Sequence, residues 1–168
     1  MSKMPNIHGG GANTNVNGLH FEQTTSLNDV LIDNGFIVNN GEVHDKNNQL
    51  IGYSKPKHQF RKFLKSNGVD LDVNSDSLLP DDAFINVQKR VVYIIEKKFQ
   101  NGSGSVDEKL QTCSYKLSQY KKLISQMNYD TEYLYILNDW FKQKKYSDVL
   151  AYINSVGCHY FFNSIPLG

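Results

Sequence analysis

Two apolar runs, Ala83-Phe-Ile85 and Val91-Val-Tyr-Ile-Ile95, flank a polar link from Asn86 to Arg90, and no other stretch constrains the fold as much. Both runs are rich in β-branched and aromatic residues, and a short polar link between two such runs reads as a hairpin. The second run is apolar at five consecutive positions, without the alternation of a half-exposed strand. Such a strand is covered on both faces. Helices must therefore flank the sheet that contains it.

The flanking sequence supplies them. Leu19, Phe21, Leu27, Val30 and Leu31 predict a helix between Asn17 and Asn34, with Gly35 as its stop. Phe36 to Val38 and Leu50 to Tyr53 read as short strands that pair with each other. Phe60, Phe63 and Leu64 share a stripe, which predicts a helix from Lys57 to Ser66 ended by Gly68. Beyond the hairpin at 83–99, Asn101-Gly-Ser-Gly-Ser105 is a loop. Ser105-Val-Asp-Glu108 is a capping-box pattern opening a helix to about Gln126. A buried strand is expected from Thr131 to Phe141, a helix from Tyr146 to Val156 and a last strand from Cys158 to Phe162. The fold class is α/β, a mixed central sheet flanked by helices. Residues 1–15, rich in Gly and Asn, read as a flexible arm, and 16–168 as one domain.

The 168 residues are 39% hydrophobic and 12% aromatic, which excludes a disordered chain. A net charge of +1 announces no partner, but its distribution is uneven. Between Ile85 and Ile124 eight Lys/Arg face three acids, a net of +5. Lys55, Lys57, Arg61, Lys62 and Lys65 form a second basic run, and Asp70, Asp72, Asp76, Asp81 and Asp82 form an acidic island between the two. A cation site bordered by phosphate-binding surface would have this layout. Cys113 and Cys158 have neither metal-ligand spacing nor a paired framework, so a reducing, cytoplasmic setting is expected (the host-cell interior for a viral protein). No signal peptide or membrane span is expected. The five histidines are scattered, and neither a P-loop nor a dinucleotide fingerprint is present.

The ends of the hairpin carry the chemistry. Pro80-Asp81-Asp82 stands at the mouth of the first strand and Glu96-Lys-Lys98 at the end of the second. Residues two apart in a strand face the same side, so Glu96 and Lys98 share one face. A hairpin of this length returns its second strand to the level of Asp81. Two acids and a lysine at one sheet edge suit a Mg²⁺ site working on a phosphodiester (with Mn²⁺ as a substitute). Asp82 competes with Asp81 for the ligand role, and Gln100 follows on the same strand face.

Pro80-Asp81 with Glu96-x-Lys98 resembles the PD-(D/E)xK nuclease superfamily. Gly18-Leu-His-Phe-Glu22 is similar to the acidic first helix of many members, and the block from Pro80 to Tyr115 resembles small type II restriction-type endonucleases, including viral and phage ones. The resemblance covers roughly residues 9 to 137. It implies that Asp81 and Glu96 are metal ligands, Glu22 a third acidic ligand and Lys98 the catalytic lysine, with Gln100 and Asp82 in support. The implied activity is Mg²⁺-dependent hydrolysis of double-stranded DNA at a short site by a homodimer, alongside a cognate methyltransferase. A junction-resolving or repair nuclease, a catalytically silent DNA-binding module and a domain that binds no nucleic acid are the rival expectations.

Several other residues are candidate DNA contacts. Ser103, Gly104 and Ser105 precede a helix whose N-terminus favours an anion. Lys109, Lys116 and Tyr120 could track the backbone along that helix. Gln111 and Tyr115 match a Gln-x-x-x-Tyr pattern of recombination-type members. Asn13, Asn15, Asn17 and the loop Gly41–Asn48 are candidate base readers.

Overall fold

The hairpin lies at the centre of a seven-stranded sheet. In the computed structural model, which describes Phe21, residues 25–102, Gly104 and residues 106–166, the strands follow chain order across the sheet. They are β1 Ile37–Asn39, β2 Glu42–His44, β3 Leu50–Ser54, β4 Asp82–Asn86, β5 Val91–Lys98, β6 Asp130–Leu137 and β7 His159–Phe162. Pairing is antiparallel from β1 through β5 and parallel from β5 through β7. The helices are α1 Leu27–Asp33, α2 His58–Ser66, the single turn α3 Val106–Lys109, α4 Cys113–Ile124 and α5 Ser147–Ser155. The protein is an α/β fold with a mixed sheet and helices on both faces.

The pleat sorts the core. Ala83, Ile85, Val92, Ile94, Tyr133, Tyr135 and Leu137 face α2, α4 and α5. Phe84, Ile95, Leu134 and Ile136 face the opposite way, onto Leu27 and Leu31 of α1 and onto Ile165. Strand β5 is thus covered on both sides, as its unbroken apolar run requires. Its turn is closed by Asn86, whose Oδ1 accepts from the amides of Gln88 at 3.1 Å and Lys89 at 2.9 Å. The parallel step from β5 to β6 is made through α3 and α4, the long crossover that parallel neighbours need.

Three expectations need correction. The two strands expected to pair at 36–53 do not touch, because β2 lies between them. Asn40 and Gly41, both at positive φ (48° and 80°), reverse the chain at once. This Asn-Gly pair is a hairpin signal that the sequence reading passed over. It also makes Glu42–His44 of the proposed reader loop Gly41–Asn48 into strand. The helix expected over 105–126 is broken: α3 gives way to a 3₁₀ turn at Leu110–Thr112 before α4 begins. Tyr135 Oη donates to the carbonyls of Lys109 (3.3 Å) and Leu110 (3.5 Å), which draws them away from helical pairing. The strand expected to reach Phe141 stops at Leu137, and Asp139–Lys142 is a 3₁₀ turn. The arm at 1–15, residues 17–20 and 22–24 of the first expected helix and the capping residue Ser105 lie outside the described residues, and the described part of that helix from Leu27 on is α1. Among those residues, no helix is long and apolar enough to cross a membrane.

Gly52 is the tightest point of the sheet. It pairs with Val43 on one side and Asn86 on the other, and a Cβ there would stand 1.9 Å from the Ile85 carbonyl oxygen. Backbone must move to admit any side chain. Gly52→Ala is expected to cost about 3 kcal/mol or more, the upper range of single substitutions. Thermal unfolding should register a fall in Tm of roughly 10 °C; an unchanged Tm would contradict the β3–β4 pairing.

Candidate active site

The antiparallel register of the hairpin builds the site. Asp82 pairs with Ile95, so one step further Asp81 stands opposite Glu96. The Lys97 amide donates to Asp81 Oδ2 at 2.8 Å and holds that carboxylate against the end of β5. Glu96 is only 6% exposed and lies in a floor of buried tyrosines. Lys98, two residues on and on the same face, brings Nζ to 3.9 Å from Glu96 Oε2. Asp81, Glu96 and Lys98, which the sequence reading grouped, are brought to one point at the carboxyl end of a parallel strand. Open α/β sheets commonly bind ligands there.

The electrostatics of this point are unusual. Burial pushes the Glu96 carboxyl up to about 7 from its ordinary 4.5, and the adjacent Asp81 charge adds to the rise. The ammonium groups of Lys98 and then Lys116 oppose it. The nearness of the Asp81 side chain also favours the protonated form of Glu96. Like charges directly opposite on adjacent strands repel, so this pair needs a proton or a cation between its members. Beneath it lie Tyr120, Tyr133 and Tyr135, fully buried, with ring centroids 6.3 Å (Tyr120–Tyr133) and 5.3 Å (Tyr133–Tyr135) apart. Burial and the Glu96 charge hold their hydroxyls neutral. The floor is therefore uncharged and dry. Tyr120 does not follow a DNA backbone, as the sequence reading had it; it is 1% exposed.

Asp82 sits on the other side of the pleat. Its Oδ2 pairs with Lys97 Nζ at 2.7 Å, and its carboxylate also takes the Leu27 amide at the start of α1. Burial raises its pKa, against the pull of that lysine. Asp82 and Lys97 thus fasten α1 to the sheet and do not share the face of Glu96. A candidate role for Asp82 beside Asp81 is corrected by this geometry, since neighbouring strand residues face opposite ways.

Gln100 lies beyond the end of β5, and its side-chain amide donates to the Gly102 carbonyl. Its backbone is clamped by Asn138: Gln100 N donates to Asn138 Oδ1 at 3.1 Å, and Asn138 Nδ2 donates to Gln100 O at 2.7 Å. A second tie runs from Trp140 Nε1 to Tyr146 Oη (2.7 Å) and from Tyr146 Oη to Asp107 Oδ1 (2.8 Å). Gln100 therefore organises the loop bordering the site. Sequence reasoning missed Asn138, because position 138 fell inside the strand expected from Thr131 to Phe141. The expected anion-binding helix end rests mainly on residues that the structure does not describe. Helix α3 is one turn long with Asp107 and Glu108 in it, and Ser103 and Ser105 lie outside the described residues, as does Glu22. Lys109 and Gln111 are exposed and Lys116 is half-buried. Among the described residues no set of three or more His, Cys, Asp or Glu is positioned to hold a metal.

No family model, no curated protein and no solved structure matches this chain. Its chemistry must be argued from its own residues.

One consequence is measurable without substrate. Below pH 4.5 Glu96 is protonated in both folded and unfolded chains, so it costs the fold nothing. Between 4.5 and about 7 the unfolded chain releases this proton and the folded chain keeps it. Stability must fall as pH rises through that window, by about 3 kcal/mol in all, and the loss is complete above it. In chelator, wild-type Tm should drop relative to Glu96→Gln across this range. Parallel Tm curves for the two proteins would refute the buried carboxyl pair.

Proposed function

We propose that this chain is a Mg²⁺-dependent endonuclease that hydrolyses phosphodiester bonds of double-stranded DNA, in the manner of a small type II restriction-type enzyme. The observation that carries this reading is the opposition of half-buried Asp81 and buried Glu96 with Lys98 beside them. Two acids forced together in a dry site are unstable without positive charge, and hard carboxylate oxygens suit Mg²⁺. Asp81 and Glu96 would hold the ion. The remaining positions would fall to water and substrate oxygens. Bound there, the ion would polarise the phosphoryl oxygen and acidify a water.

The chain's own residues do the rest. The Lys97 amide keeps Asp81 aimed at Glu96. Lys98 would orient the attacking water and offset the negative charge that develops on the phosphoryl oxygens. The water oxygen forms a new bond to phosphorus, and the bond to the leaving sugar oxygen breaks. The water proton passes to solvent, and the leaving oxygen takes a proton back. The tyrosine floor excludes competing water from beneath and strengthens each of these interactions. A duplex presents two strands, and two copies of the chain related by a two-fold axis would cut both. A restriction role would also require a cognate methyltransferase to protect the host.

Glu96→Ala and Lys98→Ala should each slow plasmid cleavage by about 10³-fold. Far-UV circular dichroism should remain unchanged. Chelation should stop the wild-type enzyme, and added Mg²⁺ should restore it. Undiminished cleavage by both variants would remove these residues from the chemistry, and wild-type binding of DNA with no nicking in Mg²⁺ would favour a silent DNA-binding module.

A further inference from the structure

Resting on the nuclease reading, we infer that Lys116 is a second catalytic cation of the site, reaching the reacting phosphate from α4 as Lys98 reaches it from β5. The placement follows from the fold. Tyr135 is the β6 neighbour of Glu96 in the parallel register. Its hydroxyl pins the carbonyls of Lys109 and Leu110, and so sets the start of the helical run over that pair of strands. Helix α4 then buries Cys113, Leu117, Tyr120, Leu123 and Ile124 against the sheet. Lys116 stands one turn before Tyr120, so the two share a flank of the helix. Tyr120 lies in the field of both Asp81 and Glu96, and the Lys116 ammonium acts on Glu96 as well.

The state of the side chain is equally telling. Lys97 is committed to Asp82 at 2.7 Å and Lys142 to Asp139 at 2.9 Å. Lys116 is half-buried and, among the described residues, forms no ion pair within 4.0 Å. A lysine drawn partly out of water within the field of Glu96, yet not paired with it, is held in reserve for another anion.

Charge balance identifies the moment at which that anion appears. Two ionised carboxylates and one divalent cation sum to zero. Lys98 alone makes the site +1, the match for a phosphodiester monoanion. Lys116 makes it +2, the match for the dianionic phosphorane-like state in which water has added and the leaving oxygen has not departed. A group that pairs with charge present only in the transition state raises kcat and leaves KM alone.

The test is steady-state cleavage of a duplex oligonucleotide in Mg²⁺ by wild type, Lys116→Gln, Lys116→Arg and, as an exposed control, Lys144→Gln. Lys116→Gln should lower kcat by about 10²-fold, with KM within threefold. Lys116→Arg should recover most of kcat, because the charge returns, and Lys144→Gln should keep wild-type kcat. Equal kcat for Lys116→Gln and wild type overturns the inference while leaving the nuclease reading intact. So does an equal loss in Lys116→Gln and Lys116→Arg, which marks a packing role, or a rise in KM alone, which marks ground-state binding. Absence of cleavage by the wild-type enzyme overturns the nuclease reading, and this inference falls with it.

Discussion

The register of one hairpin governs this molecule. Because Asp82 pairs with Ile95, Asp81 must face Glu96, and the pleat then assigns every neighbour to a side. A slip by one residue would exchange the two faces and put Asp82 and Lys97 where the site now is. The Asp82–Lys97 ion pair and the bond from the Lys97 amide to Asp81 oppose that slip. Adjacent residues of nearly identical chemistry therefore do different work. Asp82 and Lys97 form a short ion pair that anchors α1, whereas Asp81, Glu96 and Lys98 form a strained cluster of charge on the face covered by α2, α4 and α5.

That cluster sets the requirements on its surroundings. Carboxyls set opposite each other, one of them protonated to about pH 7, cost the fold stability unless a cation joins them. The environment sharpens this cost. Three buried tyrosines supply a floor without charge, and burial keeps their hydroxyls protonated. Beyond the strand ends, Asn138 and the Trp140–Tyr146–Asp107 chain tie together the two loops that border the site. The rim is thus held by polar contacts and the floor by packing, so the charged groups stay in place without satisfying one another. Such stored electrostatic strain is characteristic of sites that bind metals or do chemistry.

Much of this was legible in the residues. The helix at 58–66, the hairpin, the strand at β6 and the helix at 147–155 follow from periodicity and punctuation, since each has an apolar pattern that only one secondary structure can bury. The grouping of Asp81 with Glu96 and Lys98 followed from strand geometry alone. Failures occurred where a short-range signal was weighed too lightly or a tertiary contact intervened. Asn40-Gly41 announces a tight hairpin, yet the three-residue strands around it carry too little apolar pattern to be noticed. The break between α3 and α4 has no local cause; it depends on the hydroxyl of Tyr135, 25 residues further on than Leu110.

What the amino-acid order determined by itself is the set of elements and the face on which each charged residue of a strand must lie, because alternation is a property of the extended chain. Only the folded structure decided which charges are satisfied. Lys97 finds Asp82, Asn138 finds Gln100, and Lys116 is left with its ammonium beside Glu96 and no ion pair among the described residues. Those outcomes depend on distances between segments far apart in the chain and on how much water each pair retains. Neither quantity is written in any local stretch of sequence.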